Sequence, residues 1–235
     1  MRVLVIVPSY NEEKNIINVS NNLVKLKENA DIDFIFINDG SSDNSRDIFL
    51  DNGINHIELI DNLGIGGAVQ TGYKYAYYKN YDIAVQFDGD GQHDAGCIED
   101  IINPICMDEA DMVIGSRFIE KRSEFQSTFM RRVGIVIISF VIKLFVGKKI
   151  FDTTSGFRAV NKKVIEEFAY CYPVDYPEPE TTAKLLKEGY RVKEIPVIMH
   201  KRVEGATSIT WGKSAFYMFR VCLSIMVNGI GGKGK

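Results

Sequence analysis

The chain has 235 residues, of which 46% are hydrophobic and 25% charged, the balance of an ordinary globular protein. This composition excludes disorder and collagen-like repeats, and four widely spaced cysteines without a Cys-x-x-Cys pair exclude a disulfide scaffold. The chain opens on an apolar, strand-like run instead of a charged region with a cleavage site, so we expect no export signal and a cytoplasmic protein.

The charge is distributed unevenly along the chain. Residues 1–116 carry 7 lysines and arginines against 20 aspartates and glutamates, whereas residues 117–163 carry 11 against 3. An acidic first part can hold a cation, and a basic middle part can hold an anion or lie on an anionic surface. The two parts therefore predict two roles on one chain.

Short apolar runs alternate with amphipathic segments in the first 116 residues. The runs predict strands at 3–7, 34–38, 56–60, 83–87 and 112–115, and the segments between them predict helices at 12–26, 43–51, 66–79 and 97–108. Continuously apolar strands separated by helices indicate an α/β fold, with a mostly parallel sheet covered by helices on both faces.

Two longer apolar stretches follow, at 131–149 and 213–227. Both are too short or too interrupted by charge to cross a bilayer, which takes about 20 apolar residues. They either lie in a membrane interface, with basic flanks at the headgroups, or pack as core helices on each other or on a partner chain. The sequence leaves these alternatives open.

Polar clusters follow the predicted strands, at 8–12, 38–41, 61–62 and 88–90. Because ligands of a doubly wound sheet bind beyond the carboxyl ends of its strands, these clusters mark the expected site. Asp88 and Asp90 flank a glycine directly after a buried strand, and Gln92 adds a neutral oxygen. Hard oxygen ligands in this arrangement suit Mg²⁺ or Mn²⁺. His93 follows and could contact one of these ligands.

A glycine-rich segment, Asn62-Leu-Gly-Ile-Gly-Gly-Ala68, begins a predicted helix and could admit a sugar phosphate close to backbone N–H groups. Together with the other clusters it resembles family-2 glycosyltransferases with the GT-A (Rossmann-like) fold. The motifs that carry the resemblance are Pro8–Glu12, Asn38–Asp43, Asn62–Ala68, Asp88–Asp90 and Gly115–Phe118, in that order. Asp152–Arg158 and Arg202–Thr207 are similar to the polyprenyl-phosphate sugar transferase branch, typified by dolichyl-phosphate mannose synthase.

The resemblance implies a role for each matching residue. The nucleotide would be held by Pro8, Tyr10, Glu12, Asp39 and Gly67, and the metal that bridges the diphosphate by Asp88, Asp90 and Gln92. Three arginines, Arg117, Arg131 and Arg202, would gather around the acceptor phosphate or the diphosphate. Their planar guanidinium donors suit phosphate oxygens. Two departures from the family pattern are Asn38, in place of an aspartate, and Thr207-Ser208, in place of Ser-Lys.

The acceptor is the main alternative. A hydroxyl acceptor needs a general base, for which Asp152, Glu178 and Glu180 are candidates. A lipid phosphate is already anionic and needs positioning more than deprotonation. The basic middle segment and the apolar stretches favour the lipid phosphate.

The sequence thus predicts a GT-A domain at 1–210, with a nucleotide-sugar half at 1–116 and an acceptor half at 117–210, followed by an amphipathic C-terminal helix and tail at 211–235. We expect a metal-dependent, inverting transferase that moves sugar from a UDP-, GDP- or dTDP-sugar to polyprenyl phosphate on the inner membrane face. A small membrane-spanning partner or a homo-oligomer is compatible with it, and nucleic acid is not expected. The alternatives are transfer to a polysaccharide hydroxyl, nucleotidyl transfer, and nucleotide-sugar binding without turnover.

Overall fold

The computed structural model describes residues 1–27, 31–119, 129–175, 177–200, 218 and 220–226, with side chains for all of these except 129–131. In chain order the strands are β1 (Val3–Ser9), β2 (Ile32–Asn38), β3 (His56–Glu58), β4 (Ile83–Gln86), β5 (Met112–Ser116), β6 (Arg158–Asn161) and β7 (Val192–Pro196). The helices are α1 (Ile16–Lys27), α2 (Ser45–Asp51), α3 (Gly64–Tyr78), α4 (Ile98–Cys106), α5 (Phe129–Val146), α6 (Lys162–Tyr170) and α7 (Pro177–Lys187). Residues 220–226 are also helical and are called the terminal helix.

The seven strands form one sheet in the order β3-β2-β1-β4-β6-β5-β7. All neighbouring pairs are parallel except those of β6, which runs antiparallel to both β4 and β5. The predicted α/β class and the mostly parallel sheet are confirmed. The carboxyl ends of β1, β2, β3, β4 and β5 share one edge, which the loop before β6 also reaches.

Helices cover both faces of the sheet because its central strands are apolar on both sides. Every residue of β1 is buried, which fits a strand enclosed between two layers. Gly72 of α3 faces β1, where a Cβ atom would lie 2.1 Å from Ile6 Cγ2. A glycine at this position lets the helix pack closely on the strand.

The two later apolar stretches have different surroundings. Ile138 and Ile142 of α5 are buried in one core cluster with Val221 and Ile225 of the terminal helix. These described parts therefore pack as core helices. The opposite face of α5 stays exposed and apolar. Among the described residues, no helix is long and apolar enough to cross a membrane.

Candidate active site

The turn after β4 brings two carboxylates to the carboxyl edge of the sheet. Gly89 separates them and lies so close to β1 that a Cβ atom would be 2.9 Å from the Pro8 carbonyl oxygen. Gly91 continues the turn with a φ of +72°, a conformation that favours glycine. Asp90 Oδ1 accepts a hydrogen bond of 3.1 Å from the amide of Gln92, which closes the turn.

Asp88 lies against His93 and is partly buried. Its Oδ2 accepts a hydrogen bond of 3.1 Å from His93 Nε2, and one third of the side chain is exposed (33%). Burial raises the pKa of Asp88, but the hydrogen bond and charge of His93, with the charge of Arg117, outweigh burial and lower the pKa below its usual value. Asp88 is therefore an anion at neutral pH, as a cation ligand must be.

The loops after β1 and β2 are joined at the same edge. Asp39 Oδ1 accepts a hydrogen bond of 2.7 Å from the amide of Leu63, which ties the loop after β2 to the start of α3. Asn11 has a φ of +54°. Its Oδ1 accepts from the amide of Ser42 (2.8 Å), and its own amide donates to Ser41 Oγ (2.9 Å). These bonds hold the polar segments predicted to face the nucleotide in one continuous rim.

Several of the predicted nucleotide contacts lie on this rim. Tyr10 is 49% exposed, and Glu12 Oε2 accepts a hydrogen bond of 2.6 Å from Asn15 Nδ2. Gly67 lies in the first turn of α3, beside Leu63. Asn38 is fully buried, and its Nδ2 donates to Glu58 Oε2 at 2.9 Å. Asn38, the residue that departs from the family pattern, therefore stabilises the end of β2 through a partly buried hydrogen bond to β3.

Arg117 and Asp152 form a buried ion pair. Arg117 directly follows β5, and Asp152 lies in the loop before β6. Arg117 Nε donates to Asp152 Oδ2 at 2.7 Å, and Nη2 donates to Oδ1 at 2.6 Å. The side chains are 3% and 0% exposed. Glu194 Oε1 accepts from the Asp152 amide at 2.7 Å. The Asp152 carboxylate predicted as a candidate base is thus bound to Arg117 by a bidentate contact.

The same loop lies directly against Asp88. A Cβ atom at Gly156 would be 2.6 Å from Asp88 Oδ1 and 2.7 Å from Oδ2. Ser155 Oγ donates to the Gly115 carbonyl at 2.7 Å, and the fully buried Arg158 donates to the Ser155 carbonyl at 2.7 Å. The loop of residues 152–158 therefore joins the turn after β4 to the second part of the chain.

The structure separates the two glutamates of α7. Burial raises the pKa of Glu178, and the charge of Asp88 raises it further, whereas the charge of Arg158 lowers it. Gln86 Nε2 donates a hydrogen bond of 3.5 Å to Glu178 Oε1. Glu180 instead interacts with Ser224 and with the charge of Arg220, on the terminal helix. Of the two, Glu178 is the carboxylate near Asp88.

The remaining predicted residues differ in what can be said of them. Gln92 is buried, and its Nε2 donates to the His200 carbonyl at 3.3 Å. The side chain of Arg131 and all of Arg202 lie outside the described residues. Sequence reasoning did not single out Gly156, Arg158 or Gln86, since each becomes significant only through the position of β6 beside β4.

The donor set of this edge fits a divalent cation. Two carboxylates and an amide group follow β4, and Mg²⁺ or Mn²⁺ typically takes one or two carboxylates and completes its shell with water and phosphate oxygens. Among the described residues, no group of three His, Cys, Asp or Glu side chains could hold a metal alone.

Comparison with known proteins identifies the family. Residues 4–169 match the model "Glycosyl transferase family 2". The chain is 32% identical to UDP-N-acetylglucosamine–dolichyl-phosphate N-acetylglucosaminyltransferase of Methanococcus voltae, over 97% of this chain and 96% of that protein. It is 26% identical to undecaprenyl-phosphate mannosyltransferase of Micrococcus luteus, over 90% of this chain and 89% of that one.

A solved structure supports the fold. Glucosyl-3-phosphoglycerate synthase from Mycobacterium tuberculosis, solved with Mn²⁺, uridine-diphosphate-glucose and phosphoglyceric acid, superposes with a TM-score of 0.68 at 14% identity. The match covers 97% of this chain and 79% of that one. The GT-A fold and the resemblance read from the motifs are confirmed. The chain belongs to glycosyl transferase family 2 and is a glycosyltransferase.

Proposed function

We propose that this glycosyltransferase moves a sugar from a nucleotide-sugar donor to a polyprenyl phosphate, with inversion at the anomeric carbon and with Mg²⁺ or Mn²⁺ bound beside the donor. The observation that carries the proposal is the position of Asp88 and Asp90 in the turn after β4, at the sheet edge where the loops after β1 and β2 are joined by hydrogen bonds. The names of the relatives from Methanococcus voltae and Micrococcus luteus support the lipid phosphate as acceptor class.

Each predicted residue has a part in this proposal. Asp88, Asp90 and Gln92 would hold the cation, which neutralises charge on the departing nucleoside diphosphate. The rim around Pro8, Tyr10, Glu12, Asp39 and Gly67 would bind the nucleotide. An oxygen of the acceptor phosphate forms a bond to the anomeric carbon as the bond to the diphosphate breaks, so no proton has to be removed.

The arginines would position the anions. Arg131 and Arg202 are proposed as acceptor contacts from the motif match alone. Arg117 is held by Asp152, so its guanidinium is fixed in direction and its positive charge lies close enough to lower the pKa of Asp88. Asp152 would then act by orienting Arg117, and Glu180 remains a proposed catalytic residue without a contact to Asp88.

The exposed face of α5 supports a peripheral position on a membrane. Val136, Phe140 and Leu144 are 67%, 63% and 65% exposed, and they lie on one side of the helix. Lys143, Lys148 and Lys149 stand on or just after the same helix. An apolar face bordered by lysines fits the headgroup region of an anionic bilayer. We therefore propose the inner membrane surface as the location, with any membrane-spanning partner or homo-oligomer still a prediction.

A hydroxyl of a growing polysaccharide is the second candidate acceptor. It would require a general base near the anomeric carbon. The observation that favours it is Glu178, a partly buried carboxylate close to Asp88. Lipid phosphate and hydroxyl acceptors give products of different solubility, so one assay separates them.

The test is incubation of the purified chain with Mg²⁺ or Mn²⁺, radiolabelled UDP-, GDP- or dTDP-sugars, and undecaprenyl phosphate in detergent. We expect label in the organic phase and release of a nucleoside diphosphate. Asp90→Asn should lose turnover at least about 100-fold, whereas Asp51→Asn, an exposed carboxylate of α2, should not. Label that stays with water-soluble glycans would refute the lipid acceptor, and release of pyrophosphate would indicate nucleotidyl transfer.

A further inference from the structure

We propose that His93 and Gly156 are positioning residues that hold the Asp88 carboxylate in one orientation, the orientation that binds the donor's divalent cation. This inference rests on the proposed function for the role of Asp88, and it assigns to the loop of residues 152–158 a part in cation binding.

His93 is the donor on one side of the carboxylate. The residue is 6% exposed, and its ring packs against the rings of Phe87 and Phe157, with centroid distances of 5.6 Å and 5.0 Å. A carboxylate can only accept, so the nitrogen 3.1 Å from Asp88 Oδ2, Nε2, carries the hydrogen. Because the ring is enclosed, the donor has a fixed position.

The main chain of His93 is fixed as well. It forms an isolated antiparallel bridge with Met199, and the neighbouring Gln92 carbonyl accepts from the His200 amide at 2.8 Å. His93 Nδ1 is buried without a hydrogen-bond partner among the described residues, so no polar contact draws the ring away from Asp88. The described interactions leave Nε2 directed at Asp88 Oδ2.

Gly156 lies close to both oxygens of the carboxylate. Its φ lies outside the left-handed region, so the main chain there would accept an L-residue. The requirement for glycine is therefore one of space, since a Cβ atom would lie within 2.7 Å of both carboxylate oxygens. A methyl group at this position must move either the Asp88 carboxylate or the loop.

The loop is held too firmly to move easily. The Arg117–Asp152 pair fixes its start, and the hydrogen bond from Ser155 Oγ to the Gly115 carbonyl fixes its middle. Arg158 donates to the Thr153 and Ser155 carbonyls and also to the Glu178 carbonyl of α7. The carboxylate is thus confined between an enclosed donor and a fixed main chain, which is the kind of support that tunes a metal ligand.

The variants separate positioning from packing. His93→Phe keeps an aromatic ring packed against the two phenylalanines and removes the donor, whereas His93→Gln replaces Nε2 by an amide donor of similar reach. Gly156→Ala displaces the carboxylate through the added methyl group and leaves His93 in place. His56→Phe is the matched control, because His56 also stacks on a phenylalanine, at 4.8 Å from Phe49, and has one hydrogen bond, far from Asp88.

The readout is the Mn²⁺ dissociation constant, from the electron paramagnetic resonance signal of free Mn²⁺ with UDP or GDP at saturation, alongside thermal unfolding and turnover. We expect His93→Phe and Gly156→Ala to weaken Mn²⁺ binding about 10- to 100-fold, with His93→Gln within about 3-fold of wild type and His56→Phe unchanged. If Gly156→Ala does not fold, the two His93 variants decide.

Three results would overturn the proposal: folded His93→Phe and Gly156→Ala with wild-type Mn²⁺ affinity, an equal loss in His93→Phe and His93→Gln, or no Mn²⁺ binding by wild type. Failure of the proposed function looks different. The wild-type chain could bind Mn²⁺ with a nucleotide, and the variants could show the expected order of Mn²⁺ affinities, while no sugar is transferred to undecaprenyl phosphate. This result would refute polyprenyl phosphate as the acceptor and support the positioning roles of His93 and Gly156.

Discussion

The buried Arg117–Asp152 pair allows a quantitative test of what holds the loop before β6 against the end of β5. Asp152 accepts three hydrogen bonds from Arg117, from its amide, Nε and Nη2, at 3.0, 2.7 and 2.6 Å. With both side chains almost fully buried, Asp152→Ala leaves a guanidinium without its counter-charge. Breaking a buried pair in this way costs about 3–5 kcal/mol of unfolding free energy, a large share of a typical total of about 5–15 kcal/mol.

The assay is equilibrium unfolding in urea, followed by far-ultraviolet circular dichroism, for Asp152→Ala, Arg117→Met and the double variant Arg117→Met/Asp152→Leu. Removing both charges leaves no uncompensated ion, so the double variant should cost much less than the sum of the single ones, with a coupling energy of about 2 kcal/mol or more. A cost below about 1 kcal/mol for Asp152→Ala, as for a surface pair, or additive effects would refute the reasoning.

Three further outcomes follow from other contacts. Phe140→Ser should weaken sedimentation with anionic vesicles without lowering the melting temperature, since the side chain is 63% exposed; unchanged binding would contradict a membrane role for α5. Gly72→Ala should cost about 1–3 kcal/mol by overpacking against Ile6 Cγ2, and because Ile6→Ala removes that atom, the double variant should lose less stability in urea unfolding than the sum of the two single losses. Hydrogen bonds from Arg191 hold the pKa of Asp111 below its usual range, so their contribution to stability is present above the usual aspartate pKa of about 4 and is lost as pH falls through the lowered pKa. On acidification from about pH 5, Asp111→Asn should therefore lose less stability than wild type, and an equal loss would exclude this source.

Much of the fold follows from local pattern. The five strands of the first part are short, nearly continuously apolar runs, and all five lie where that pattern predicts them, with ends shifted by one or two residues. Their polar ends meet at one edge because parallel strands align their carboxyl ends. This geometric rule is why the cluster around Asp88 and Asp39 could be predicted without coordinates.

The second part resisted prediction for identifiable reasons. β6 has four residues and begins with the buried charge of Arg158, so no apolar run marks it as a central strand. The contacts of Gly156 and Asp152 depend on that strand lying between β4 and β5. For α5, a helix that is apolar on nearly all sides does not reveal which side enters the core, and only the structure separates Ile138 from Phe140.

The placement of β6 bears on how a nascent chain can acquire this architecture. β4 and β5 are complete by residue 116, yet they hydrogen-bond through a third strand that is not synthesised until residue 161. Until then both carry unsatisfied edges, which other chains can pair with. A ribosome-bound fragment ending before residue 158 should therefore be prone to aggregation. If the segment before residue 158 and the segment from residue 158 onwards are expressed as two chains, soluble material should form only when both are expressed in the same cell.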